Sequence, residues 1–166
     1  VAKRDPHEYM QPWVNLTYSA QLLLAKLNEA LEEALGISIV EQEFLSQVGK
    51  AGGEIRMVDV AQNLSVSKAA VTKIVDRLEE RDLVVRQPAE FDRRVINLVL
   101  TPEGKRILRG SWRLIEPWVK EHFADRLSRD EMVTLGEILQ KLIESHGQWE
   151  AMAQRLRGPR SAKREP

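Results

Sequence analysis

Apolar residues recur at helical spacing along most of this chain and at strand spacing in one short central region. Leu16, Ala20, Leu23, Leu24, Leu27, Leu31, Ala34 and Leu35 form one unbroken helical stripe. The spacing predicts a helix over 13–36, starting near Pro12 or Trp13 and stopped by Gly36, behind a polar arm over 1–12. So wide a stripe needs cover on more than one side, either from the chain's own core or from a second subunit. Ser38 to Glu41 has the order of a capping box and predicts a second helix whose buried face is Phe44, Leu45 and Val48. Gly49, Gly52 and Gly53 end it, and Glu54–Arg56 reads as a short strand.

The next stretch carries the information. Val58, Val60, Ala61 and Leu64 give a third helix, which Ser65, Val66 and Ser67 interrupt. Ser67 is a good N-cap for a fourth helix, because its hydroxyl accepts from a free backbone N–H of the following turn. Val71, Ile74, Val75 and Leu78 make the buried face of that helix. Two alternating runs follow. Leu83–Gln87 places Leu83 and Val85 on one side and Val84 and Arg86 on the other, and Val95–Leu100 groups Ile96, Leu98 and Leu100. The polar run from Pro88 to Arg94 is a turn between them. A helix-turn-helix followed directly by a β-hairpin with a basic tip is a winged helix. The expected fold class is therefore mainly α with a small β-wing, an α+β arrangement.

Beyond the hairpin, Thr101, Pro102 and Glu103 have the N-cap, first-turn proline and first-turn acid of another helix start. Ile107, Leu108, Leu114, Ile115, Val119 and Phe123 carry its apolar pattern, and Pro117 is expected to kink or break it. Ser128–Glu131 opens a last helix through Met132, Leu135, Ile138, Leu139, Leu142 and Ile143, extended by Trp149, Met152 and Leu156. Residues 157–166 read as a basic disordered tail.

Along the exposed face of the fourth helix the order of charge is informative. Ser67, Lys68, Ala69, Thr72 and Lys73 are small, hydroxylic or basic, whereas Asp76, Glu79 and Glu80 come later. Such a helix meets DNA with its N-terminal half, since the later acids repel phosphate. Ser65, Ser67, Lys68, Thr72 and Lys73 are the expected contacts on this element. Arg77 faces either phosphate or a neighbouring acid, and Arg86 either phosphate or the wing acids. Arg93 and Arg94 sit at the hairpin tip, within reach of phosphates or a narrow minor groove, and Asp92 pairs with an arginine to shape the wing.

Composition changes this picture little. Lys and Arg number 25 against 25 Asp and Glu, so the formal net charge is zero, and distribution matters more than the sum. The absence of Cys excludes disulfides, Cys-based zinc sites and thiol sensing. His7, His122 and His146 have no ligand-like spacing. No nucleophile triad, phosphate loop or zinc-hydrolase motif is present. Glu29, Glu32, Glu33, Glu79 and Glu80 read as solvated helical charge. The expectation is a non-enzyme without metal or cofactor. No apolar run reaches the ~18 residues of a membrane span. The N-terminal residues lack the apolar core of a signal peptide, so a soluble cytoplasmic protein is expected.

Several of these residues also match a known pattern in joined order. They are Val60, Ala61 and Leu64; Ser65, Ser67, Val71, Thr72, Val75, Asp76, Arg77, Leu78 and Glu79; Leu83, Val84 and Arg86; Asp92, Arg93 and Arg94; and Leu100, Thr101, Pro102, Glu103 and Gly104. In this the chain resembles the MarR family of bacterial transcriptional regulators over residues 13–146. Two positions depart from the family: Asp82 stands where Gly usually caps the helix, and Phe91 occupies the wing loop in place of a polar residue. The resemblance implies a dimerisation helix over 13–36, a winged-helix DNA-binding domain over 37–101 and C-terminal dimerisation helices over 102–156. It implies a homodimer on a pseudo-palindromic duplex, a repressor released by a small aromatic effector. Trp13, Tyr18 and Trp112 are the candidate effector contacts. The family's Asp-x-Arg wing pattern points Arg94 to the minor groove and leaves Arg93 for phosphate. The rival reading is a winged helix used as a protein-interaction or dimerisation module. It is motivated by net neutrality and by the acids at Asp76, Glu79 and Glu80.

Overall fold

The structure, a computed structural model, describes residues 5–64, 68–89, 93 and 95–145, without the side chains of Gln62, Asn63 and Lys68. The expected tail over 157–166 and the extension through Trp149, Met152 and Leu156 lie outside the described residues. The chain divides into two compact units, Val1–Ile39 and Val40–Pro166.

The first unit is one long helix, α1 (Pro6–Leu35), and the turn after it. It begins at Pro6, not near Trp13, so the expected arm over 1–12 is helical from Pro6 onward. The reason is local. The Asp5 carboxylate accepts from the His7 N–H at 2.9 Å, and Pro6 fills a first-turn position where a missing N–H costs nothing. Pro12 then removes one hydrogen bond without ending the helix. Gly36, at φ 66°, closes α1 in the left-handed conformation that glycine adopts without a Cβ penalty. Asn28 braces the turn: its Oδ1 accepts from the Ile39 N–H at 2.8 Å, and its Nδ2 donates to Glu32 at 2.7 Å.

The second unit holds α2 (Ile39–Lys50) from Val40 onward, β1 (Glu54–Arg56), α3 (Met57–Leu64), α4 (Lys68–Glu80), β2 (Val84–Pro88), β3 (Ile96–Leu100), α5 (Pro102–His122), a short 3-10 turn at Ala124–Arg126, and α6 (Arg129–Ser145). Phe44, Leu45 and Val48 are fully buried on α2, as the pattern required. The polar Glu41, Gln42, Ser46 and Gln47, which no apolar pattern announces, are buried nearly as deeply. Gln42 donates to Ser46 at 2.9 Å, so part of this polarity is satisfied within the helix.

The three strands form an antiparallel sheet in the order β1-β3-β2. Val84 pairs with Leu100 and Arg86 with Leu98, so these four share one face. Val84, Leu98 and Leu100 are buried, which makes that face the inner one. The sequence pattern grouped Val84 with Arg86 correctly and set Leu83 with Val85. Leu83 is buried as well, but from the bend before the strand and not as part of its alternation.

That bend closes α4 onto the sheet. Asp82 has φ 53°, the left-handed conformation in which glycine is usual and Asp is among the tolerated exceptions. The Leu83 N–H reaches back to the Leu78 carbonyl and the Asp82 N–H to the Glu79 carbonyl, each at 2.9 Å. This pairing satisfies the last carbonyls of α4 and brings Leu83 against Leu78. The Thr101 hydroxyl donates to the Asp82 carbonyl at 2.5 Å and accepts from the Gly104 N–H at 2.8 Å. One side chain thus caps α5 and ties it to the end of α4.

Pro117 does not break α5, which runs continuously to His122. Of the apolar residues expected to be covered on α5, Ile107 is fully buried, while Val119 is exposed. On α6 no residue is buried, and Val133, Ile138 and Leu142 face outward. The capping box at its start is formed: the Ser128 N–H and hydroxyl both donate to Glu131 at 2.8 Å. Those bonds hold the Glu131 carboxyl below the usual range. Among the described residues no helix is long and apolar enough to cross a membrane.

Two substitutions test the junction. A Cβ on Gly104 would lie 1.9 Å from the Leu83 carbonyl oxygen, so Gly104→Ala must push α5 off the bend. Urea unfolding should show a loss of about 2–3 kcal/mol. Asp82→Gly relieves the left-handed conformation and should raise stability by roughly 0.5–1 kcal/mol in the same measurement.

Candidate nucleic-acid interface

The candidate interface is built on α4. Val71, Ile74, Val75 and Leu78 anchor one side of the helix in the core, each at most 6% exposed. Helical geometry then turns Ala69, Thr72 and Lys73 outward, and all three are exposed. Lys73 makes no ion pair among the described residues. Ser65 and Ser67 lie outside the described residues, as does the side chain of Lys68, although Lys68 itself opens α4.

The second half of α4 is different. Arg86, from β2, reaches under the sheet edge and pairs with both nearby acids of α4. Its Nη2 donates to Asp76 at 2.6 Å, its Nη1 donates to Glu79, and its backbone N–H donates to the other Glu79 oxygen at 2.8 Å. The sequence reading had offered phosphate or the wing acids as its partners. The structure gives it acids, but those of α4. The cause is the strand parity: with Val84 facing inward, Arg86 faces inward too, toward the helix on which the sheet rests.

Arg77 lies 3.8 Å from Glu41 of α2, and Arg81 lies 4.0 Å from the same carboxylate, whose side chain is 8% exposed. The acid found beside Arg77 thus comes from another helix. Arg77 keeps 58% of its side chain exposed, so it borders solvent on the same helix. Glu41 was legible as the acid of the Ser38 capping box; its second role needed the packing of α2 against α4.

At the wing, Arg93 is exposed. Asp92, Phe91 and Arg94 lie outside the described residues, so the expected arginine pairing of Asp92 and the minor-groove role of Arg94 have no geometry here. The candidate effector contacts are all open to solvent: Trp13 is 60%, Tyr18 72% and Trp112 49% exposed. None of the three lines the cavity of 400 Å³ that lies beside α4, walled by Arg56, Met57, Ala61, Val71, Thr72 and Ile96. Its walls are mainly apolar, with one hydroxyl and one guanidinium. Arg56 is held by Asp59 at 2.6 and 2.8 Å, and these hydrogen bonds, with the carboxylate's charge, raise its pKa further. Among the described residues no group of three or more His, Cys, Asp or Glu is placed to hold a metal.

Comparison with known proteins agrees with this geometry. A family model described as MarR family matches residues 31–95. Over 138 residues the chain is 28% identical to the HTH-type transcriptional repressor MdtR of Bacillus subtilis (strain 168), covering 79% of this chain and 85% of that one. A MarR family transcriptional regulator from Streptomyces coelicolor, solved in complex with DNA, superposes with a TM-score of 0.75 at 26% identity, over 87% of this chain and 91% of the other. A mutant MarR from E. coli, complexed with operator DNA, gives a TM-score of 0.71 at 27% identity, over 84% and 99%.

Proposed function

We propose that this chain is a DNA-binding transcriptional regulator of the MarR family and that it acts as a homodimeric repressor of a pseudo-palindromic operator. The observation that carries this reading is the polarity of α4. Its exposed N-terminal half offers Thr72 and Lys73 to a groove, while Asp76 and Glu79 behind them are paired with Arg86.

In this reading Ser65, Ser67, Lys68, Thr72 and Lys73 contact the major groove, and Arg77 borders it. Arg93 contacts phosphate, Arg94 enters the flanking minor groove, and Asp92 shapes the wing. A second copy supplies the other half-site, about 10 base pairs away. Its dock is the apolar surface that α5 and α6 leave open, with Trp112, Val119, Val133, Ile138 and Leu142. Repression is the sign named for the Bacillus subtilis relative.

The effector is a small aromatic molecule. The cavity beside α4 suits it, within the ~300–1,000 Å³ usual for ligand sites. Bound there, against Thr72 and Arg56, it competes with the DNA-bound position of α4. It releases the operator only by its differential affinity for the free state.

Fluorescence anisotropy on the duplex upstream of the chain's own gene, against a scrambled duplex at two salt concentrations, tests the reader. Selective binding should weaken with salt by a slope of about −0.9 per phosphate neutralised. If Lys73 or Arg93 meets phosphate, its replacement by Ala should reduce that slope by about 1. Equal, weak binding to both duplexes would refute the reading. Sedimentation equilibrium tests the dimer: the wild type should sediment as a dimer, and Ile138→Asp, placing a charge on the open face, as a folded monomer.

A further inference from the structure

Arg86 was a candidate DNA contact by sequence, yet its donors are already engaged inside the protein. β2 is an edge strand, and its Arg86 N–H is taken by Glu79 of α4 in place of a neighbouring strand. The guanidinium of the same residue spans Glu79 and Asp76, one helical turn of α4. Its side chain is 27% exposed, against 58% for Arg77. Backbone and side chain together fix both the position and the direction of the strand relative to the helix. β2 leads straight into the wing, and α4 carries the groove-facing residues.

We propose that Arg86, with Asp76 and Glu79, is a positioning residue for operator readout. It is a clamp that sets the angle between the recognition helix and the wing, and so lets both engage one half-site together. This rests on the DNA-binding reading above. Base contacts from α4 and flank contacts from the wing add only if the spacing between them matches the duplex. A loosened clamp costs selectivity first, because non-specific attraction to phosphate tolerates a variable wing angle.

The sign of one substitution separates this from a phosphate contact. Asp76→Asn combined with Glu79→Gln deletes two negative charges beside the DNA. If Arg86 served phosphate, the change would free its guanidinium, lower the repulsion and tighten binding to every duplex. The clamp predicts the reverse for the operator: affinity about tenfold weaker, the size expected from losing charge-assisted hydrogen bonds, with binding to scrambled duplex unchanged or tighter. The ratio of the two affinities is the readout, since a loss of folded protein lowers both alike.

A second variant covers misfolding. Arg86→Glu alone should lose operator selectivity, and Arg86→Glu with Asp76→Arg should restore most of it, because the reversed pair rebuilds a side-chain tie while Glu79 still accepts from the backbone N–H of residue 86. Operator binding in the neutralised variant as tight as wild type, or no recovery in the reversed pair, would overturn the clamp. Wild-type protein that does not distinguish operator from scrambled duplex would instead overturn the DNA-binding reading, and the clamp with it.

Discussion

The arrangement of the second unit hangs on the turn at Asp82 and Leu83. There α4 ends, the sheet begins, and α5 docks, all through a few backbone groups. Asp82 accepts a left-handed conformation so that Leu83 can fold back on Leu78. Thr101 then bonds to the Asp82 carbonyl and caps α5 in the same gesture. Gly104 is required because the Leu83 carbonyl occupies the place a Cβ would take. The run Leu100 to Gly104 is therefore one mechanical joint, and each residue in it has a separate physical task. Without that joint, α4 would have a buried apolar face but no defined direction.

Direction matters because the chain has no excess of positive charge to spend on DNA. A neutral protein must present its cations and hide its anions. Here the anions are paired by the fold. Arg86 holds Asp76 and Glu79 from the sheet side, with Asp76 still half exposed, and Glu41 stands beside Arg77 and Arg81 from α2. The ties toward α2 are long, and the Arg77 and Arg81 side chains are partly solvated, so their energetic worth is small. The Arg86 cluster is shorter, less exposed and joined to a backbone N–H, and it is the firmer of the two.

The places where pattern reading and structure part company have simple causes. Helix α1 starts at Pro6 because a single carboxylate, Asp5, supplies the cap; counting apolar residues could not see a polar first turn. Pro117 remains inside α5, since a proline deletes one hydrogen bond and the rest of a long helix holds. The alternation of the 83–87 run did not say which side faces inward; β2 starts at Val84, which is buried, while Leu83 is buried in the bend before it. Val119, Ile138 and Leu142 belong to the apolar periods of α5 and α6 yet are uncovered, because period alone does not say whether the cover comes from the same chain.

The sequence by itself determined the order of elements, the buried face of α4, the cap at Thr101 and the side of the helix that faces outward. Each depends on neighbours a few residues apart, where spacing and stereochemistry decide. Tertiary structure alone decided what the arginines around α4 do. A guanidinium has the same local chemistry whether it meets phosphate or carboxylate. Its partner is chosen by which elements pack together across the fold, as Arg86 shows by finding Asp76 and Glu79, and Arg77 by lying against Glu41.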